Sequence, residues 1–150
     1  MALQNYGVSV PGKLLRSAQP EDSDFPFLAK LGVKYILKLN DDAPSWEIAI
    51  AQRHMIEVYY KPLPTLINCT ANIVYLCEFM HELDGLWLVH CTHGRDRTGL
   101  ICAAYRLLFC GATLEDVQAE RRQYGVEGLV EFVDADMDFI LHEIAGMVKT

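Results

Sequence analysis

Leu86-Trp87-Leu88-Val89 is an unbroken apolar run set between the turn-like Asp84-Gly85 and a polar segment that begins at His90. It is too short for a helix and shows no polar alternation. Such a run predicts a strand buried on both faces, the pattern of a parallel sheet covered by helices. The chain before it supplies matching pieces. Lys13-Leu14-Leu15-Arg16 predicts a short strand closed by the turn Ser17-Ala18-Gln19-Pro20. Asp22 to Leu31 predicts a helix, with Phe25, Leu28 and Leu31 at helical spacing and Gly32 as its stop. Val33 to Leu39 reads as a strand that ends in the polar loop Asn40-Asp41-Asp42-Ala43-Pro44. Ser45 is placed to cap a helix with Ile48 at N3, running to about His54. Ile56 to Tyr60 is β-branched and aromatic, hence strand, ended by Pro62 and Pro64.

Thr70 to Leu83 carries Ile73, Leu76, Cys77 and Met80 on one face and predicts an amphipathic helix that stops at Asp84-Gly85. Three more helical stretches follow, at about 97–110, 115–124 and 129–148. Thr113 and Asp116 stand at the spacing of a capping box. Strands alternating with helices, then helices alone, predict an α/β layered sheet with a helical C-terminal half.

The chain has 150 residues, 51% of them hydrophobic, which suits one domain spanning 1–150 with its own core. Met1 to Gly12 has neither a basic n-region nor an apolar h-region, so no signal peptide is expected. No apolar run reaches the roughly 20 residues that cross a bilayer. The expectation is a soluble, cytoplasmic protein with no membrane span. A formal net charge of −7 disfavours general nucleic-acid binding and leaves room for one local basic pocket. Of the five cysteines, Cys69, Cys77, Cys102 and Cys110 are expected to be small buried hydrophobes; no pair has CxxC spacing.

Cys91 is different because of its setting, His90-Cys91-Thr92-His93-Gly94-Arg95-Asp96-Arg97-Thr98-Gly99. The segment follows a buried strand and opens a helix, and the first amides of a helix point outward with about half a positive charge behind them. Gly94 lets the loop curl so that successive N–H groups aim inward and ring the oxygens of a phosphate, which the backbone of Thr92 to Arg97 would hold. Helix N-termini and cationic neighbours favour the thiolate of a cysteine placed there. A thiolate attacks phosphorus and leaves a covalent intermediate for water to hydrolyse. Arg97 can return across the loop and grip two phosphate oxygens with its planar fork. Thr98 can donate its hydroxyl to the sulfur when sulfur leaves. His90 either braces the loop through its ring nitrogens or is a satisfied core histidine. His90, Cys91 and His93 are metal-ligand types, but their spacing suits no common zinc template, and no metal or other cofactor is expected.

The segment resembles the signature of the protein tyrosine and dual-specificity phosphatase superfamily, HC followed by five residues and RT or RS. Arg16-Ser17-Ala18-Gln19-Pro20 resembles the RSxQP turn of small atypical dual-specificity phosphatases. The resemblance implies a twisted, mostly parallel sheet of four or five strands flanked by helices, and it implies no cofactor or metal. His90 to Gly94 is similar to the loop of cysteine-dependent RNA 5′-triphosphatases. Asp96-Arg97-Thr98-Gly99 is similar to the DRTG ending of bacterial tyrosine-directed and lipid-directed phosphatases and of myotubularins. The compact length and the RSxQP turn point to a small bacterial-type or phage-type member.

Most relatives in that superfamily carry a general-acid Asp on the loop after the strand that here is Ile56–Tyr60. Residues 61–68 contain no carboxylate. Asp96 is therefore the leading candidate to protonate the leaving group, with Asp42 or Asp41 next. Arg95, Lys61 and Lys38 either bind a second phosphate or an acidic peptide, or are solvated surface charges. Pro62-Leu63-Pro64 offers either an apolar wall for a phosphotyrosine ring or plain punctuation. The expected substrate is a phosphorylated protein, phosphotyrosine first and phosphoserine or phosphothreonine next. Phosphoinositides, inositol polyphosphates, RNA 5′-triphosphates and a non-catalytic phosphoprotein-binding role are the alternatives. Oxidation is expected to leave Cys91 open to pairing with Cys69 or Cys77.

Overall fold

The computed structural model describes residues 3–64, 68–125 and 130–148; Met1, Thr65 to Ile67 and Leu129 lie outside the described residues. The chain forms two compact units, one made of residues 1–63 and 84–94, the other of 64–83 and 95–150. Each is assembled from two separate stretches of sequence.

The first unit holds the sheet, with strands β1 (Gly7–Val10), β2 (Leu14–Ser17), β3 (Val33–Lys38), β4 (Glu57–Tyr60) and β5 (Leu86–His90) in the order β1-β2-β5-β3-β4. β1 runs antiparallel to β2, and every other pairing is parallel. The apolar run that opened the sequence argument is thus the central strand, and from Trp87 onward it is buried throughout. β1 was not expected. Its pattern Gly-Val-Ser-Val is short, and Val8 is half exposed, as befits an edge strand with a bulge between Val8 and Val10.

Helices α1 (Phe25–Leu31) and α2 (Ser45–Arg53) are the crossovers of this unit. Gly32 ends α1 in the left-handed region, φ 90°, where its N–H reaches the carbonyls of Ala29 and Leu28. The expected cap at Ser45 is not made: Pro44 is the N-cap and Ser45 the first helical residue, with no side-chain cap bond. Proline at that point pre-sets its own φ and shifts the helix start by one position. Leu15, Phe25, Leu28, Ile36, Ala51, Ile56 and Leu88 form the core beneath the sheet. Across β4, β3 and β5 the rings of Tyr59, Tyr35 and Trp87 pack at centroid separations of 4.7 to 6.0 Å.

The second unit is helical: α3 (Thr70–Glu82), α4 (Asp96–Phe109), α5 (Leu114–Tyr124) and α6 (Val130–Val148). α4 packs against α3, α5 and α6. Its Gly99, Ala103 and Ala104 are buried, and small residues let neighbours approach a central helix from several sides. The expected capping box is present: Thr113 Oγ1 accepts from Asp116 N at 3.1 Å, and Asp116 Oδ2 accepts from Thr113 N at 2.9 Å. Two of the four cysteines expected in the interior are exposed, Cys69 and Cys110, because they flank helices rather than lying on a buried face; Cys77 and Cys102 are buried. Among the described residues no helix is long and apolar enough to cross a membrane.

Trp87 is fully buried at the centre of the ring cluster. Trp87→Ala should lower stability by about 3–5 kcal/mol in urea unfolding. A loss below about 1 kcal/mol would contradict the packing.

Candidate active site

β2, β5 and β3 leave the sheet at the same end, because Ser17 and Lys38 both pair with His90 in parallel register. The chain beyond their carboxyl ends is where open α/β sheets place their ligands. Here the turn after β2 and the polar loop after β3 flank the start of the Cys91 segment.

The carbonyls of Thr92, His93 and Gly94 are each taken by a donor from the N-terminal part of the chain. Thr92 O accepts from Gln19 N at 3.1 Å. His93 O and Gly94 O accept from Asn5 Nδ2, both at 3.2 Å, and Gly94 O also accepts from the buried Arg16 Nη2 at 3.1 Å. In a trans peptide the C=O of one residue and the N–H of the next point in opposite directions. Pinning these carbonyls on one side therefore aims the following amides, those of His93, Gly94 and Arg95, the other way. That is an arrangement suited to an anion. Gly94 makes it possible. Its φ is +72°, and a Cβ there would lie 2.6 Å from Ala18 N and from the carbonyl carbon of Ser17.

Cys91 itself is buried, at 3% exposure, while Thr92 and His93 are exposed. His90 uses both ring nitrogens: Nδ1 lies 3.2 Å from Cys91 O and Nε2 lies 2.6 Å from Glu47 Oε2. It braces the loop rather than merely filling the core. Glu47, on α2, is fully buried and also meets Lys38 Nζ at 3.2 Å and Gln19 Nε2 at 2.8 Å through Oε1. Lys38 donates further to Gln19 Oε1 at 2.8 Å and Asn40 Oδ1 at 3.2 Å. Lys38 is thus neither a solvated charge nor a pocket-lining cation. It is the last residue of β3, wholly buried, and its charge is spent on Glu47. Burial opposes ionisation of Glu47, but hydrogen bonds from His90 and Gln19, with the charges of His90 and Lys38, outweigh it and hold the carboxyl below its ordinary value.

The remaining members of the segment open α4 in the helical unit. Arg95 is the exposed N-cap residue, and its carbonyl accepts from Gly99 N at 2.7 Å. The helix starts one residue earlier than expected, so Asp96 is its first residue, buried at 4%, in the turn where a carboxylate offsets the helix dipole. Arg97 is half-buried and Thr98 fully buried. The Arg95 side chain lies along Gly125, where a Cβ would sit 3.6 Å from its Nε.

Asp41 and Asp42 are exposed on the loop after β3; Asp42 Oδ2 accepts from Asn40 Nδ2 at 3.2 Å, and Asp41 O accepts from Tyr60 Oη at 3.0 Å. Lys61 is half-buried. Leu63 turns inward and is 4% exposed, so it offers no outer wall of the kind Pro62-Leu63-Pro64 suggested. Cys77 is buried among apolar groups, which pushes its thiol up, and its Sγ approaches Ile101 O at 3.6 Å. Sequence reasoning missed Glu47, Asn5 and Asn40. The RSxQP turn did flag Arg16 and Gln19, and their contacts give that turn its physical meaning.

A five-stranded, mostly parallel sheet with a His-Cys segment leaving its central strand defines a protein tyrosine phosphatase-like fold. The Tyrosine phosphatase family profile matches residues 4–120, and the chain belongs to that family. OCA1 of Yarrowia lipolytica is 37% identical over 128 residues, covering 80% of this chain and 50% of its own length. The dual specificity protein phosphatase TpbA of Pseudomonas aeruginosa is 32% identical over 114 residues, covering 70% of this chain and 50% of its own. The chain spans about half the length of these curated relatives. The TpbA crystal structure superposes with a TM-score of 0.81 at 23% identity, covering 98% of this chain and 92% of that one. A TpbA variant in complex with pTyr gives 0.72 at 25%, over 89% and 86%. The core catalytic domain of the S. cerevisiae PP-IP phosphatase SIW14 gives 0.79 at 22%, over 99% and 95%.

Two outcomes follow from this geometry. Gly94→Ala should destabilise the protein by more than the roughly 1–2 kcal/mol of a left-handed alanine, since Ser17 and Ala18 must also move; an unchanged urea midpoint would refute the contact. Glu47 is held below the ordinary 4.5, so its contribution is complete above that pH and is lost as pH falls through the lower folded value. Urea midpoints measured from pH 6 to pH 3 should fall less steeply for Glu47→Gln than for the wild type.

Proposed function

We propose that the chain is a cysteine-dependent phosphatase acting on phosphomonoesters, with residues 1–150 serving as one catalytic domain because the His90–Gly99 segment belongs to both units. Cys91 Sγ attacks phosphorus; the S–P bond forms as the bond to the leaving oxygen breaks, and water then hydrolyses the cysteinyl phosphate. The amides after Thr92, His93 and Gly94, with Arg95 and Asp96, bind the phosphoryl oxygens, and Arg97 takes two of them in its fork. Thr98 donates to the departing thiolate. The observation that carries this reading is the tethering of the Thr92, His93 and Gly94 carbonyls on one side of the loop.

Asp96 is the proposed general acid. Asp42 is the second reading, favoured by its exposed carboxylate on a loop that leaves the sheet beside His90. The acid is separable by leaving group: aryl phosphates need little protonation, alkyl phosphates much. Replacing the true acid by Asn should cut alkyl phosphate hydrolysis by about 10²–10⁴ and aryl hydrolysis far less. Equal losses on both would reject the residue tested.

The proposed substrate is a phosphotyrosyl protein, with phosphoserine and phosphothreonine proteins next. Beside Gln19, whose amide holds Thr92 O, a shallow hollow of about 500 Å³ is lined by Pro20, Glu21, Asp22, Ser23 and Trp46. Trp46 is 42% exposed. Two carboxylates repel a polyphosphate and, with the indole, suit a cationic side chain of a peptide. Phosphopeptides, p-nitrophenyl phosphate, inositol polyphosphates and triphosphorylated RNA assayed side by side should give the highest kcat/KM on phosphotyrosyl peptides, and none with Cys91→Ser. Preference for inositol polyphosphates or RNA ends would overturn the substrate. Tight phosphopeptide binding without release of phosphate by the wild type would replace catalysis by a scaffold role.

A further inference from the structure

Asn5 lies just before β1 and 88 residues ahead of His93. Its Nδ2 donates to His93 O and to Gly94 O, both at 3.2 Å. A side-chain amide nitrogen carries two N–H bonds, one for each of these carbonyls, whereas Oδ1 in that place would face two acceptors. The residue is itself in an uncommon conformation, φ 52°, in the left-handed region that asparagine tolerates better than most side chains. Its neighbours fix it there. Leu3 is part of the core, Gln4 O accepts from Ala18 N at 2.9 Å, and Tyr6 packs edge-on against Phe27 at 5.5 Å. The amide is thus a short arm on a rigid support.

Gly94 creates the need for such an arm. Without a Cβ it comes close to Ser17 and Ala18, but glycine is also the residue whose adjoining peptide planes turn most easily. Rotating the plane between His93 and Gly94, or that between Gly94 and Arg95, by half a turn would exchange an N–H for a C=O on the anion side of the loop. An oxygen would then face the phosphate, where a donor is required. We propose that Asn5 is a positioning residue of the phosphate-binding loop, its amide locking these two consecutive peptide planes with their N–H groups toward the phosphoryl oxygens. The inference rests on the reading of the Cys91 segment as that loop. Arg16 Nη2 helps at the second plane, through Gly94 O at 3.1 Å, and Asn5 spans both.

Tungstate, a tetrahedral dianion that reports anion binding without turnover, gives the direct test by isothermal titration calorimetry of the full chain. The wild type should bind it. Asn5→Gly keeps the left-handed backbone free of strain and removes both donors. Its tungstate affinity should fall about tenfold, and kcat/KM on p-nitrophenyl phosphate at least as far. Asn5→Asp keeps the shape and the tolerance of that φ but sets carboxylate oxygens against two carbonyls, and should lose about a hundredfold. A role in stability alone would lower the urea midpoint of these variants and leave the tungstate affinity of the folded protein where it was. Wild-type affinity in folded Asn5→Gly therefore overturns the proposal, as does a wild type that binds no tungstate. Should one variant fail to fold, the other decides. Nitrogen-15 spectra of the wild type need no variant: the Gly94 and Arg95 amide signals should move on addition of tungstate, and signals that stay in place overturn the proposal. Tungstate binding that weakens in Asn5→Gly, in a protein that hydrolyses no phosphomonoester, would leave the role of Asn5 standing and reject the catalytic reading alone.

Discussion

The approach of Gly94 to the backbone of Ser17 and Ala18 is the contact on which the loop geometry depends. With no Cβ, that residue lies against the strand exit closely enough for Arg16 and Asn5 to reach its carbonyl, while Gln19 holds Thr92. A backbone pinned in this way has little freedom left to reorganise. Preorganised N–H groups act more strongly than mobile ones because their orientation is settled during folding rather than during the reaction.

Beneath the loop lies a second layer with a different job. Isolated buried charges are expensive, and a buried pair is weak evidence for stability, since apolar residues of the same volume are often at least as favourable. Lys38 and Glu47 are both wholly buried, yet each is linked to other polar groups, Lys38 to Gln19 and Asn40, Glu47 to Gln19 and His90. Such full satisfaction makes a polar cluster rigid. The cluster joins the turn after β2, the end of β3, the first turn of α2 and the end of β5, so the segments that surround Cys91 move as one.

Much of the fold was legible because its elements follow simple periods. The apolar run at Leu86–Val89 and the helical face of Ile73, Leu76, Cys77 and Met80 are read from spacing alone, and both appear where expected. The strand, glycine and helix start around Cys91 were legible because they occur in an order that few other uses would require. β1 escaped because four residues with a glycine and a serine carry too little pattern. Lys38 was misread because a lysine at a strand end is ordinarily solvated, and burial of such a charge depends on a partner nine residues away on another element. Glu47 escaped for the same reason: a carboxylate in the first turn of a helix looks like a dipole partner, and nothing in the local sequence says that the helix turns it inward. Tertiary pairing of polar groups has no period.

The buried cluster draws on Lys38, Glu47 and His90, which are far apart along the chain and meet through the parallel register of β3 with β5 and the crossover of α2. An emerging polypeptide that has not yet made β5 lacks this meeting point, and a chain that has lost its tertiary structure lacks it again. In either condition position 91 is an ordinary thiol in water, with ordinary susceptibility to peroxide and alkylating agents. Once the sheet has closed, Cys91 is 3% exposed and shielded by the fold around it.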